Sequence, residues 1–142
     1  MVSLLLYAFL STVDSREMQL LRTWHAVCWV ESRGDPRAVG DGGAALGIGQ
    51  IHRIMVDDCN RIVRGRQWSY ADRLCPSKSF EMFTTYCLHY YPEAGPEQWA
   101  RAWNGGPRGP QKSCTLGYWR RVEARLGSGL RLSGSRPEKR FG

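Results

Sequence analysis

Apolar residues fall along this chain mostly at steps of three and four. Leu20, Trp24, Val27 and Glu31 recur at that spacing, which lines side chains up on one face of an α-helix. The pattern predicts a long helix over 15–31 whose apolar stripe ends on an ionisable group. Asp14 and Glu17, three residues apart, give it a capping-box-like start, and Gly34-Asp35-Pro36 stops it. From 38 to 49 the glycines at 40, 42, 43, 47 and 49 forbid a continuous helix and predict tight turns with a small hairpin. Helical spacing returns at Ile51, Ile54, Met55, Asp58 and Ile62, predicting a helix over 51–63. A further helix over 79–90 puts Phe80, Phe83, Cys87 and Tyr90 on one face, a face expected to be core rather than a ligand platform. Pro96 opens a short helix through Trp99 to Asn104 that Gly105-Gly106-Pro107 ends. Thr115 caps a last one through Tyr118, Val122 and Leu126. No internal repeat is present, and the chain reads as mainly α with one glycine-rich hairpin region.

At 142 residues the chain is one domain with a real core. Residues 1–13 form a hydrophobic N-terminal segment, 14–126 the domain, and 127–142, GSGLRLSGSRPEKRFG with residue 126 before it, a flexible basic tail. The run Leu4 to Leu10 is too short for a membrane span. It lacks a preceding Lys or Arg and a clean cleavage site, so it is a weak signal peptide at best and is expected to pack on the domain.

The net charge of +7 is uneven: residues 1–60 carry five basic and seven acidic groups, residues 61–142 fifteen and six. A basic surface speeds encounter with any polyanion, nucleic acid, anionic lipid or bacterial wall alike. The signatures of specific nucleic-acid recognition are absent. Cys28, Cys59, Cys75, Cys87 and Cys114 are widely spaced, with no Cys-x-x-Cys and no His at metal-ligand spacing. Neither a zinc site nor any other cofactor is implied. Cys28, on the first helix, is expected as a small core residue.

The chemistry concentrates in two carboxyls. Glu31, at the end of an apolar stripe that includes Trp24, is expected to be desolvated, which favours its protonated form. Asp41, between Gly40 and Gly42-Gly43, is expected in a solvated turn. One carboxyl held as an acid and a second left as a carboxylate is what cleavage of a glycosidic bond requires. The same two residues also suit a helix end and an ordinary turn, and on their own they leave both readings open.

Three segments, CWVES at 28–32, GDGGAALGIGQIHRIMVDDC at 40–59 and ARAWNGGPRGPQKSCTLGYWRRV at 100–122, resemble the invertebrate-type (destabilase-like) lysozyme family. The resemblance implies a lysozyme-like α+β fold and hydrolysis, by a retaining mechanism, of the β-1,4 bond between N-acetylmuramic acid and N-acetylglucosamine in peptidoglycan. Glu31 would be the general acid and Asp41 the second catalytic carboxylate. Gln50, Asn104 and Tyr118 would line the sugar channel, and the protein would act outside the cytoplasm. Departures from the family are instructive. Most family cysteines are missing, but Cys59 and Cys87 match positions expected to pair. Trp103 replaces the His that usually precedes Asn-Gly-Gly-Pro. A second, isopeptidase activity has been linked to a Ser and a Lys that fall at Ala45 and His52 here, so it is not expected. The same motifs also resemble the lytic transglycosylases, which would use Glu31 alone and leave 1,6-anhydro products. A non-catalytic glycan-binding relic is the third reading.

Overall fold

The computed structural model describes residues 2–131, with side chains from 15 to 128. Among the described residues the fold consists of five helices and one hairpin: α1 (Val2–Ser32), β1 (Val39–Gly40), β2 (Ala45–Leu46), α2 (Arg53–Ile62), α3 (Pro76–Tyr90), α4 (Pro96–Gly105) and α5 (Leu116–Arg131). Short 3-10 turns occupy Asp41–Gly43, Tyr70–Leu74, Gly109–Gln111 and Ser113–Thr115. The mainly helical expectation holds, and the hairpin lies inside the glycine-rich stretch: Val39 pairs with Leu46 and Gly40 with Ala45, antiparallel.

Helix α3 begins at Pro76 rather than at 79 and α2 is slightly shorter than its pattern, and two further boundaries differ by more. Helix α1 starts at Val2, so Asp14 and Glu17 lie within it rather than capping it. The leucines, alanine and aromatics upstream carry no Gly or Pro to break it, and a mid-helix Asp costs only a few tenths of a kcal/mol in propensity. How the side chains of residues 1–13 pack lies outside the described residues. At the other end, α5 runs to Arg131, so the first residues assigned to the tail are helical and the rest fall outside the described residues. No helix among the described residues is long and apolar enough to cross a membrane.

The core lies where α1, α3, α4 and α5 meet, with Val27, Phe83, Met82, Trp99 and Val122 fully enclosed. At its centre Trp103 makes edge contacts with Trp24, Phe83 and Tyr86 at centroid distances of 5.7, 5.3 and 6.0 Å. Its indole Nε1 donates to the Gly49 carbonyl at 3.2 Å. Thus the core's aromatic hub also holds the glycine-rich loop. A side chain at Gly49 would run into Trp24, so the indole's approach requires glycine there.

Helix α2 turns differently from its apolar spacing. Val56 and Cys59 are its buried positions, while Ile54 is 78% exposed. The residues at 54 and 58 face a cleft, and Met55 lines that cleft while also packing against the core.

All five cysteines are free, which corrects the expected Cys59–Cys87 bridge. Both thiols are buried and each turns to a backbone carbonyl: Cys59 to Met82 at 3.5 Å and Cys87 to Trp99 at 3.8 Å. Burial pushes the Cys59 thiol up to about 12 and the Cys87 thiol further above its ordinary value, so neither is a thiolate at neutral pH. Cys28 is buried on α1, as expected of a core residue.

Candidate functional site

A cleft of about 880 Å³ opens between the end of α1, the hairpin, α2, and the ends of α3 and α4. That volume is typical of a ligand site. Glu31, Asp41, Gln50 and Asn104 all line it; Tyr118 does not.

Glu31 is the penultimate residue of α1 and is half-buried. Burial raises its carboxyl above the usual range; a hydrogen bond from Tyr118 and the nearby Arg121 pull it back down, and Asp41 raises it again. The net direction is upward. The aromatic residue against the carboxyl is Tyr118, not Trp24, whose ring turns inward onto Phe80, Phe83 and Trp103. Tyr118 is 4% exposed and its hydroxyl donates to Glu31 Oε1 at 2.8 Å. The resemblance leads one to expect Tyr118 along the sugar channel; packing of α5 against α1 sets its hydroxyl against the acid. Burial, reinforced by Glu31 itself, holds its phenol well above its ordinary value, so it remains a donor.

The end of α1 is tied to the loop it faces. Ser32 Oγ donates to the Ile48 carbonyl at 2.8 Å and shares its proton with Cys28 O at 3.1 Å.

Asp41 occupies the hairpin turn with φ of 49°, in the left-handed region that Asp tolerates better than most residues. Its side chain is 69% exposed and its Oδ2 lies 2.8 Å from His52 Nε2. Gln50 is also left-handed, with φ of 49°. Its amide nitrogen donates to the carbonyls of Gly47 at 3.0 Å and Ala38 at 3.3 Å, so it braces the hairpin while facing the cleft. Two strained non-glycine residues in one short loop fit the general clustering of such strain at functional sites.

Arg73 supports the same loop from below. It is 3% exposed, and its Nη1 donates to the carbonyls of Ala44 and Ile51, both at 3.1 Å, while Nε donates to Tyr70 O at 2.8 Å. Burial lowers its pKa, and three carbonyls rather than a carboxylate satisfy it. Gly47 passes so close to the Arg73 carbonyl that a Cβ would sit 1.9 Å from it.

Asn104, exposed at the end of α4, completes the rim with Gly106 and Pro107. The opposite wall holds groups that the sequence pattern assigned elsewhere. Tyr90, expected in the core, lines the cleft, and its hydroxyl donates to Asp58 Oδ2 at 2.7 Å. Arg61 in turn donates to Asp58 Oδ1 and to the Tyr90 hydroxyl. The Asp58 and Arg61 spacing of three along a helix was the available signal for this network. His52 and Arg73 gave no periodic signal at all. No group of three or more His, Cys, Asp or Glu side chains suited to a metal ion occurs among the described residues.

The site therefore pairs a desolvated carboxyl, backed by a buried phenol, with an exposed carboxylate held by an imidazole. The transglycosylase SLT domain family matches residues 12–121. Lysozyme 1 of Crassostrea virginica is 39% identical over 86 residues, covering 56% of this chain and 44% of that protein. The lysozyme of Meretrix lusoria is 35% identical over 92 residues, covering 58% of this chain and 68% of that protein. A chain in the crystal structure of Aeromonas hydrophila PliI in complex with Meretrix lusoria lysozyme superposes with a TM-score of 0.62 at 28% identity, covering 72% of this chain and 87% of that one. The match thus spans less than half the length of the first of these relatives.

Proposed function

We propose a function from one premise: the chain belongs to the transglycosylase SLT domain family and is a homologue of the invertebrate-type lysozymes. It cleaves peptidoglycan outside the cytoplasm, hydrolysing the β-1,4 bond between N-acetylmuramic acid and N-acetylglucosamine. Glu31, whose protonated form burial favours, donates to the leaving oxygen. Asp41 stabilises or attacks the developing oxocarbenium centre from its exposed turn. Gln50 and Asn104 meet the sugar from the cleft rim, and Tyr118 acts through Glu31 rather than on the substrate. The observation that carries this reading is the contrast between two carboxyls in one cleft, one desolvated and one exposed.

A second reading has its own support, because the matching family is named for transglycosylases. In that reaction Glu31 works alone and the muramoyl hydroxyl closes a 1,6-anhydro ring. Mass spectrometry of the soluble products of digested peptidoglycan separates the two. Reducing muramic ends are expected; 1,6-anhydro ends transfer the assignment to the transglycosylase, and absence of released glycan from well-folded protein refutes both.

A further inference from the structure

We propose that His52 is a positioning residue for the second carboxylate: it clamps Asp41 in the orientation the reaction uses. The proposal rests on the reading of Asp41 given above. It starts from a contrast in how firmly the two residues are mounted. Asp41 sits on an exposed turn, next to Gly42 and Gly43, both left-handed, and its side chain is 69% exposed. Little around it restricts its rotamer. His52, by contrast, directly follows Ile51, which is 1% exposed and paired to Leu46 by two backbone hydrogen bonds of 2.9 and 3.2 Å. The buried Arg73 guanidinium fixes the Ile51 carbonyl as well. His52 then serves as the N-cap position of α2, with extended backbone and no side-chain bond to the helix, so its ring is free to reach across the cleft mouth.

The reach ends on Asp41 Oδ2 at 2.8 Å. A carboxylate only accepts, so the Nε2 of His52 carries the hydrogen, whichever state Nδ1 is in. With Oδ2 engaged, Oδ1 is left to face the sugar, and the side chain no longer turns freely. An exposed pair of this kind adds little to folding stability. Its consequence lies in geometry, where a small displacement of a reacting group has a large effect on rate.

The experiment is a double-mutant cycle on peptidoglycan turnover with the full chain. His52→Ala is expected to lower kcat about tenfold to a hundredfold while KM and melting temperature stay close to those of the wild type. His52→Gln, which restores a donor, is expected to recover most of the loss. In an Asp41→Asn background, His52→Ala is expected to add nothing, the non-additivity of residues that act as one unit. Raised KM with unchanged kcat would overturn the proposal, since His52 would then simply touch sugar. Losses that add in the double variant would also overturn it, while leaving the role of Asp41 intact. Full activity of Asp41→Asn refutes the underlying reading, and the clamp with it.

Discussion

Replacing Tyr118 by Phe removes one oxygen atom and tests the acid directly. The ring is 4% exposed and retains its packing, so the change deletes the 2.8 Å bond to Glu31 Oε1 and leaves no large cavity. A hydrogen bond to a charged group contributes about 1.5–3 kcal/mol, and this one favours the ionised carboxylate over the protonated acid. Among the influences on Glu31 it is the largest that opposes burial. Its loss therefore makes Glu31 a weaker acid. The working form is the protonated one, which ionises as pH rises. The alkaline limb of the activity profile accordingly moves to higher pH, and the acid limb stays in place. Clearing of a peptidoglycan suspension, followed across pH at fixed ionic strength, reads the shift; a melting curve at each end checks that the variant is folded. An alkaline limb that stays put or moves to lower pH would refute the reasoning.

Glu31→Gln is expected to lower turnover about a hundredfold or more with sacculus binding retained in co-sedimentation. It also has a stability signature. The folded-state pKa of Glu31 is raised, so wild type loses stability as pH climbs from the ordinary glutamate range through that raised value, and the Gln variant does not. Urea unfolding across that window should show the variant gaining on the wild type. Gly47→Ala places a Cβ 1.9 Å from the Arg73 carbonyl at a residue with φ of 78°. We expect a loss of about 1–3 kcal/mol, seen as a lower denaturant midpoint with unchanged slope. Thiol titration of the unfolded, unreduced protein should count five reactive cysteines, because Cys59 and Cys87 are not bridged.

Local periodicity carried most of the helices, because each has an apolar face to bury, and the glycines announced the hairpin by the conformations they permit. The carboxyl contrast was legible for the same reason: Glu31 ends an apolar stripe and Asp41 stands among turn formers. What escaped was set by long-range packing. Tyr118 lies 87 residues from Glu31, and nothing in its surroundings along the chain says that its hydroxyl turns inward to a carboxyl. Tyr90 reads as core by spacing, yet its hydroxyl end reaches the cleft wall. Arg73 and His52 are single polar residues whose long-range partners are the Ala44 and Ile51 carbonyls and the Asp41 carboxylate, contacts that leave no repeating pattern. The Cys59–Cys87 expectation came from resemblance alone, and a carbonyl within reach of each thiol takes the place of the bridge.

The loop that presents Asp41 is gripped almost wholly by its backbone. Ser32 holds the carbonyl of Ile48, Trp103 that of Gly49, Arg73 those of Ala44 and Ile51, and Gln50 those of Ala38 and Gly47. Every residue has a carbonyl, so this scaffold does not depend on which side chains the exposed loop positions carry. The hairpin behaves as a fixed mount with exchangeable fittings: Val39 and Ala44 can be re-lettered while the frame beneath them stays as it is, whereas the left-handed backbone at 41 favours Asp, Asn or Gly there. New carboxylates, amides or hydroxyls could be set over the cleft at those positions without redesigning the fold, and the glycines at 47 and 49, crowded by the Arg73 backbone carbonyl and the Trp24 ring, are the places where such redesign should not begin.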